Sequence, residues 1–328
     1  MAFLGVRLGN EAQLGPSDIQ ELAVAAEDLG YQQIWMTEGS GRDSLTQLAS
    51  IAAATTKIVT GTGILPIYSR SPLMTAMSAA GLASVSGGRF ILGLGVGNRP
   101  ATQLGHGVRF AKPLDRLRET IYIVRRLLQG DEVTFHGKAL RISEASLGDA
   151  APQERVPIYI AALGPRMLRL AGEMADGVLL SWAASSYLKE AIRQVREGAI
   201  SAGRDPDEVE ISGYVRVAVT DDEEAGWLEL KSQVARYAGS THYRNYFRFT
   251  GFIYDMDEVE RAGPRSAAQA IGFEMQRELG LVGTAQECRA GLEELRALGL
   301  TKPVVAPLPV GDLRKAYQTT IEGLAPGA

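Results

Sequence analysis

Lys57-Ile58-Val59-Thr60-Gly61-Thr62, the helical run Pro72–Val85 and Arg89-Phe90-Ile91-Leu92-Gly93-Leu94-Gly95 decide the fold. The outer two stretches are short, apolar and rich in strand-forming residues. The middle one is a run of small residues behind a proline, long enough for about four helical turns. Strand, helix and strand in that order read as a parallel pair joined by a crossover helix. The same unit recurs upstream. Phe3–Gly9 and Gln33–Met36 read as strands, and Ser44–Thr55 as a helix. Ile19, Leu22, Ala23, Ala26 and Leu29 keep helical spacing up to Gly30, opened by a Ser17/Gln20 capping box.

Downstream, Leu114, Leu117, Ile121, Val124 and Leu128 mark a fourth helix, and Val133–Ile142 reads as a hairpin turned near Gly137. Strands follow at Pro157–Ala161, Gly177–Ser181, Val209–Val219 and Val304–Ala306. Helices are expected at Pro165–Met174, Tyr187–Ala202, Glu223–Tyr237, near Ala267–Glu278, and at Thr284–Leu298. Leu313, Ala316, Tyr317, Ile321 and Leu324 close the chain, and Gly239–Gly263 reads as irregular. Eight strand–helix units, with insertions after strands four and seven, predict an α/β chain folded as a (β/α)8 TIM barrel over residues 1–328. A doubly wound sheet is the competing fold. It calls for a polar linker between halves, and the sequence has none.

Composition narrows the function. The 328 residues carry 34 Lys and Arg against 38 Asp and Glu, a formal charge of −4 without a basic block, so nucleic acid is not an expected partner. Cys288 alone cannot form an internal disulfide, and His106, His136 and His242 with one thiol give no zinc spacing, so no metal is expected. Residues 58–88 carry one charge, Arg70, but Pro66 and Pro72 interrupt them, and a membrane span needs about 20 unbroken apolar residues. MAFLGVRLGN shows no signal-peptide pattern, so a soluble, cytoplasmic protein is expected. Glycine is 37 of 328, about 11% against the usual value of about 7%, which asks for a use.

A barrel places its site at the C-terminal strand ends. Those ends read Thr37-Glu38-Gly39-Ser40-Gly41-Arg42-Asp43, Gly61-Thr62-Gly63-Ile64, Gly95-Val96-Gly97-Asn98 and Ala161-Ala162-Leu163-Gly164-Pro165. Glycine there serves either barrel turns or the close approach of backbone to a flat ligand. Gly93-x-Gly95 is no dinucleotide fingerprint, because the third glycine falls on Asn98, and the chain has neither a P-loop nor a GxSxG elbow. Pro165 suits the first position of a helix whose free N–H groups can take an anion. Two catalytic candidates stand out. Glu38 either holds a cofactor hydroxyl or moves a proton, or else pairs with Arg42 or Arg70. His106 is either an acid–base group titrating near neutrality or a solvated loop residue. Cys288 reads as core.

Several stretches resemble the bacterial luciferase-like superfamily. They are Ile34-Trp35-Met36-Thr37-Glu38-Gly39, Thr60-Gly61-Thr62-Gly63-Ile64-Leu65, Ser86-Gly87-Gly88-Arg89-Phe90-Ile91-Leu92-Gly93-Leu94-Gly95, Pro157–Met167 and Ala175–Leu180. The match runs in order from Gly5 to the last helix. Members are barrel enzymes using FMN or the deazaflavin coenzyme F420. Gly164-Pro165-Arg166-Met167 and Thr37-Glu38-Gly39 look more like the methylenetetrahydromethanopterin reductase branch, which uses the deazaflavin for hydride transfer. The resemblance implies a non-prolyl cis peptide at Gly63–Ile64 behind the ring, Asn98 at the ring edge, and Ala161 to Gly164 on the cofactor phosphate. With the strand-end reading, the expected cofactor-binding set is Glu38, Thr62, Gly63, Ile64, Gly95, Asn98, Ala161, Ala162, Leu163, Gly164 and Pro165.

Two departures concern the proton. Many relatives place a histidine after the acidic residue of strand two, where this chain has Gly39. Relatives acting on sugar phosphates carry a glutamate where this chain has Val96. Their proton-handling group is therefore not transferable. The expectation is a coenzyme F420-dependent oxidoreductase acting on a small molecule, with an FMN-dependent monooxygenase and a non-catalytic carrier as alternatives. A homodimer through Pro72–Val85 is expected, as in relatives.

Overall fold

The computed structural model describes residues 3–9, 11, 13–39 and 41–327. Met1, Ala2 and Asn10 of the N-terminal stretch, and Ser40 of the second strand end, lie outside them. In chain order the strands are β1 (Gly5–Leu8), β2 (Gln33–Met36), β3 (Val59–Thr62), the short β4 (Leu65–Pro66) and β5 (Phe90–Gly95). The hairpin β6 (Val133–His136) and β7 (Arg141–Ala145) follows. Then come β8 (Ile158–Ala162), β9 (Gly177–Leu180), β10 (Glu210–Val219), β11 (Gly280–Gly283) and β12 (Lys302–Pro307). Parallel pairing runs β1–β2–β3–β5–β8–β9–β10–β12 and back to β1, which closes an eight-stranded (β/α)8 barrel.

Strand alternation sorts the side chains. Trp35, Ile91, Tyr159, Leu179, Tyr214, Val304 and Ala306 point inward and pack together inside the barrel. Their strand neighbours, such as Ile34, Leu92, Ile160, Val178, Val215 and Val305, pack outward among the helices. Room inside is short: a Cβ on Gly61 would sit 2.8 Å from the Trp35 ring.

The helices are α1 (Pro16–Asp28), α2 (Ser44–Ala54), α3 (Pro72–Ser86), α4 (Pro113–Leu128), α5 (Pro165–Met174) and α6 (Ser185–Ser201). They continue with α7 (Glu223–Ala238), α8 (Thr241–Phe249), α9 (Ile253–Ala262), α10 (Phe273–Leu279), α11 (Ala285–Ala297) and α12 (Leu313–Gly323). Residues 58–88 become β3, β4 and α3, and among the described residues no helix is long and apolar enough to cross a membrane. Cys288 sits on the buried face of α11 with Leu292 and Leu295, and burial pushes its thiol up to about 12.

Three expectations are corrected. Helix α1 starts before Ser17: Pro16 takes the first position, and the Asp18 carboxylate accepts the Gly15 N–H at 2.7 Å. The segment Gly239–Gly263 is helical, not irregular. Tyr243, Tyr246 and Phe247 of α8 are set against Trp182, Tyr187 and Tyr237. That aromatic contact, absent from any local signal, fixes the helix. The helix near Ala267–Glu278 breaks at Gly272 into a 3₁₀ turn, Ala267–Ala270, and α10. Strand β11, also unexpected, pairs Arg216–Val219 of β10, above the Glu210–Gly213 stretch that β9 occupies.

Helices α5 and α6 are brought into close contact by glycine. A Cβ on Gly172 would lie 1.9 Å from the Val195 carbonyl oxygen, so α5 is held with its N-terminus at the barrel mouth.

Candidate active site at the barrel mouth

The wall of the mouth is a bulge at the end of β3. Its ladder to β5 stops at Gly61–Ile91 and resumes through β4 at Leu65–Leu94. In the gap the Gly63–Ile64 peptide is cis, as the resemblance implies. The Thr62 hydroxyl stands in for the missing ladder partner. It receives the Gly93 N–H and faces the Gly93 carbonyl, each at 2.9 Å. Gly63 donates to the Met36 carbonyl at 2.7 Å. The Gly63 carbonyl oxygen accepts from Thr37 Oγ1 at 3.0 Å and from the Tyr214 hydroxyl at 2.9 Å.

The glycines of this wall are required by protein, not by open space. A Cβ on Gly63 would fall 1.7 Å from Tyr214 Oη, and one on Gly93 would fall 1.9 Å from the Thr62 carbonyl oxygen. Gly95 leaves room for Ile64, whose Cγ1 would be 2.9 Å from an added Cβ. Absent side chains let the bulge close on itself, so backbone forms the surface.

Two strands along the barrel from β3, past β5, α5 follows β8 and begins at Gly164 with no side chain capping its first turn. The Met167 and Leu168 N–H groups return to the Gly164 carbonyl, each at 3.0 Å, and no acidic residue sits in that turn. Space beyond Gly164 is open, for an added Cβ meets nothing within 4 Å. An uncapped helix start with free space in front suits a phosphate. Ala161 lies beside Gly95 on the inner face, while Ala162 points outward and Leu163 packs into the core.

Other expected residues have partners of their own. Glu38 Oε1 pairs with Arg70 Nη1 at 2.7 Å, and Oε2 accepts from the Ser44 N–H at 2.9 Å and the Ser44 hydroxyl at 2.5 Å. Arg70 also binds Asp43, the cap of α2. Burial works against the charged Asp43, but hydrogen bonds from Thr46 and the Arg70 charge outweigh it and hold the carboxyl below its ordinary value. Glu38 thus ties the second strand end to α2 and α3. Thr62 spends its hydroxyl within the sheet and does not face the mouth. Asn98 Oδ1 accepts from Ala101 N–H at 3.2 Å, opening a π-helical turn, Ala101–Gly105. His106 follows that turn on the exposed rim. Among the described residues, no three His, Cys, Asp or Glu side chains group to hold a metal ion.

Two arginines outside the expected set also enter the barrel. Arg7 pairs with Trp35 and Arg216 with Ala306 in the strand register, so both point inward. Arg216 lies 3.8 Å from the Trp182 ring centre and donates to the Ser181 carbonyl. Burial pushes its guanidinium below its ordinary value. Tyr237 on α7 receives the effect. Burial disfavours its phenolate, but the charges of Arg216 and Arg7 and a hydrogen bond from Arg216 outweigh burial and lower its pKa. Tyr214 goes the other way, pushed up by burial. The signal was a charged residue at an inward position of an apolar strand, as in Val215-Arg216-Val217.

Residues 1–302 match the family model described as luciferase-like monooxygenase. The chain is 33% identical over 322 residues to the 5,10-methylenetetrahydromethanopterin reductase of Methanolobus tindarius, covering 90% of this chain and 93% of the relative. It is 32% identical over 244 residues to the F420-dependent glucose-6-phosphate dehydrogenase of Nakamurella multipartita, covering 69% of this chain and 71% of that protein. Among solved structures, the coenzyme F420-dependent tetrahydromethanopterin reductase from Methanopyrus kandleri superposes with a TM-score of 0.84 at 27% identity, covering 99% and 98% of the two chains.

The charge balance at the mouth predicts an observable titration. Spectrophotometric titration near 295 nm will find one phenol ionising below the usual tyrosine range. In Arg216→Met that phenol moves upward, because a cation favouring phenolate is gone. An unchanged titration curve contradicts the coupling.

Proposed function

This chain belongs to the luciferase-like monooxygenase family, and we propose that it is a coenzyme F420-dependent oxidoreductase acting on a small organic substrate. The observation that carries this reading is the pairing of a backbone wall at Gly63–Ile64 with an uncapped helix start at Gly164, on a chain whose similar relatives are F420-dependent. The residues suit the coenzyme: open space at Gly164 and the N–H groups of Gly164 and Arg166, left over once Met167 and Leu168 bond the Gly164 carbonyl, fit its phosphate, and the bulge offers a backbone-rich surface to its ring. When bound there, the coenzyme would supply the hydride chemistry, which these side chains cannot provide themselves.

The chain's own residues bind and orient. Thr37 and Tyr214 hold the Gly63 carbonyl, so Ile64 stays fixed against Gly95. Gly164 and Pro165 present the start of α5 to the phosphate, with Ala161 on the wall between. Glu38 serves as a positioning residue, because Arg70 and Ser44 occupy both its oxygens. His106, exposed after the turn at Ala101–Gly105, is the candidate imidazole for proton exchange with the substrate. Asn98 opens that turn by accepting the Ala101 N–H and so sets the rim that carries His106.

The protein is also proposed to dimerise through α3. Met74, Met77 and Val85 leave about half their surface on solvent there, at 49%, 50% and 54% exposure. Sedimentation will give a dimer that Met77→Glu dissociates; a monomeric wild type rejects this interface.

Fluorescence titration tests the cofactor. The wild type will bind coenzyme F420 and not FMN. Gly164→Asp places a carboxylate in the phosphate seat and caps α5. It will weaken coenzyme binding by about tenfold or more while the melting temperature holds or rises. Tight FMN binding without F420 binding overturns the proposal and favours the monooxygenase alternative. Equal affinity in Gly164→Asp moves the phosphate elsewhere.

A further inference from the structure

We propose that Arg7 and Arg216 form an oxyanion subsite in the barrel mouth that receives a carboxylate of the substrate. The inference rests on the oxidoreductase reading for its substrate, but the subsite is argued from the arginines alone. Gly5, Val304 and Tyr214 share one inward layer across β1, β12 and β10. Arg7 and Arg216 stand one layer nearer the mouth, on either side of β12. Between them β12 contributes Ala306, a methyl group only. Strands two apart set their Cα atoms about 10 Å from each other, within the combined reach of two arginine side chains, and both guanidinium charges act on Tyr237.

The local charges do not balance. Arg7 has one carboxylate, Glu11, at 3.4 Å, and donates to the Tyr317 oxygen at 3.0 Å. Its Nε is buried without a partner. Arg216 is 5% exposed, donates only to the Ser181 and Tyr214 carbonyls and Tyr237, and has no carboxylate partner among the described residues. A buried guanidinium without a counter-charge is costly unless something supplies one. Arg7 keeps 18% side-chain exposure, against the near-complete burial of Arg216, and is the side from which a ligand would reach the pair. Stacking on Trp182 fixes the plane of Arg216, and a planar carboxylate matches that fork by two parallel hydrogen bonds. Tyr237, whose phenol is lowered by the same cations, borders the subsite and can share a proton with the bound group.

The oxyanion has two sources, a substrate carboxylate or an acidic group of the coenzyme, and the test separates them. Coenzyme-free protein is titrated with benzoate, with neutral benzamide and with inorganic phosphate, read by the fluorescence of Trp182 beneath Arg216. Benzoate will give a saturable change and benzamide none. Arg216→Met and Arg7→Met will each weaken benzoate by about ten- to a hundredfold, with Arg216→Lys between them and the wild type. Circular dichroism melting checks each fold, and Arg216→Lys and Arg7→Met carry the test if Arg216→Met does not fold. Coenzyme affinity within about twofold of the wild type in these variants assigns the anion to the substrate. Loss of coenzyme affinity as large as the loss of benzoate gives the subsite to the coenzyme and overturns the substrate assignment. No benzoate binding, equal binding by the variants, or phosphate binding in its place also overturns it. Failure of the wild type to bind coenzyme F420 sinks the oxidoreductase reading and leaves this titration intact.

Discussion

The Gly63 carbonyl oxygen is the point on which the mouth depends. Thr37 on the adjoining strand end and Tyr214 on β10 both donate to it, and Tyr214 lies 151 residues away along the chain. This contact joins strand positions across the barrel interior. It fixes where β3 stops, how Thr62 replaces a ladder partner of Gly93, and where Ile64 enters beside Gly95. A side chain at Gly63 would strike the Tyr214 hydroxyl before meeting any ligand. The glycine serves the barrel first, and the ligand surface follows from that. Glu38 and Arg70 brace the same wall from behind by tying the second strand end to α2 and α3.

The mouth combines three kinds of surface. Backbone is exposed at the Gly63–Ile64 bulge, the α5 start leaves the Gly164 and Arg166 N–H groups uncapped, and Arg7 with Arg216 offers positive charge. Few side chains are placed to move protons, which fits hydride chemistry carried by a bound coenzyme. Burial makes the arginines matter more: inside the barrel their field is less screened than at the surface, enough to reverse the effect of burial on Tyr237.

Much of the fold was legible because each strand–helix unit repeats a strong local pattern. Helix α5 begins and ends as Pro165 and Met174 suggest, and the β6–β7 hairpin turns where Gly137 breaks the run. The misses share one physical origin. Helix α8 depends on Trp182, Tyr187 and Tyr237, distant in sequence, and β11 depends on the upper half of β10. Gly15 rather than Ser17 caps α1 because Pro16 claims the first helical position. At the site, strand-end position found Gly63, Gly95 and Gly164 but could not reveal that Thr62 and Glu38 are spent on protein partners. Arg7 and Arg216 stood in plain view as charges in apolar strands. Only the strand register turns both inward, onto the same side of the barrel.

If the Gly63–Ile64 wall and the Gly164 helix start hold two ends of one coenzyme, a crystal structure of the coenzyme F420 complex will show the ring against Gly63–Ile64, with a phosphate oxygen within hydrogen-bond distance of the Gly164 or Arg166 N–H. A ring seated away from the bulge, or a phosphate held elsewhere on the barrel, contradicts this placement.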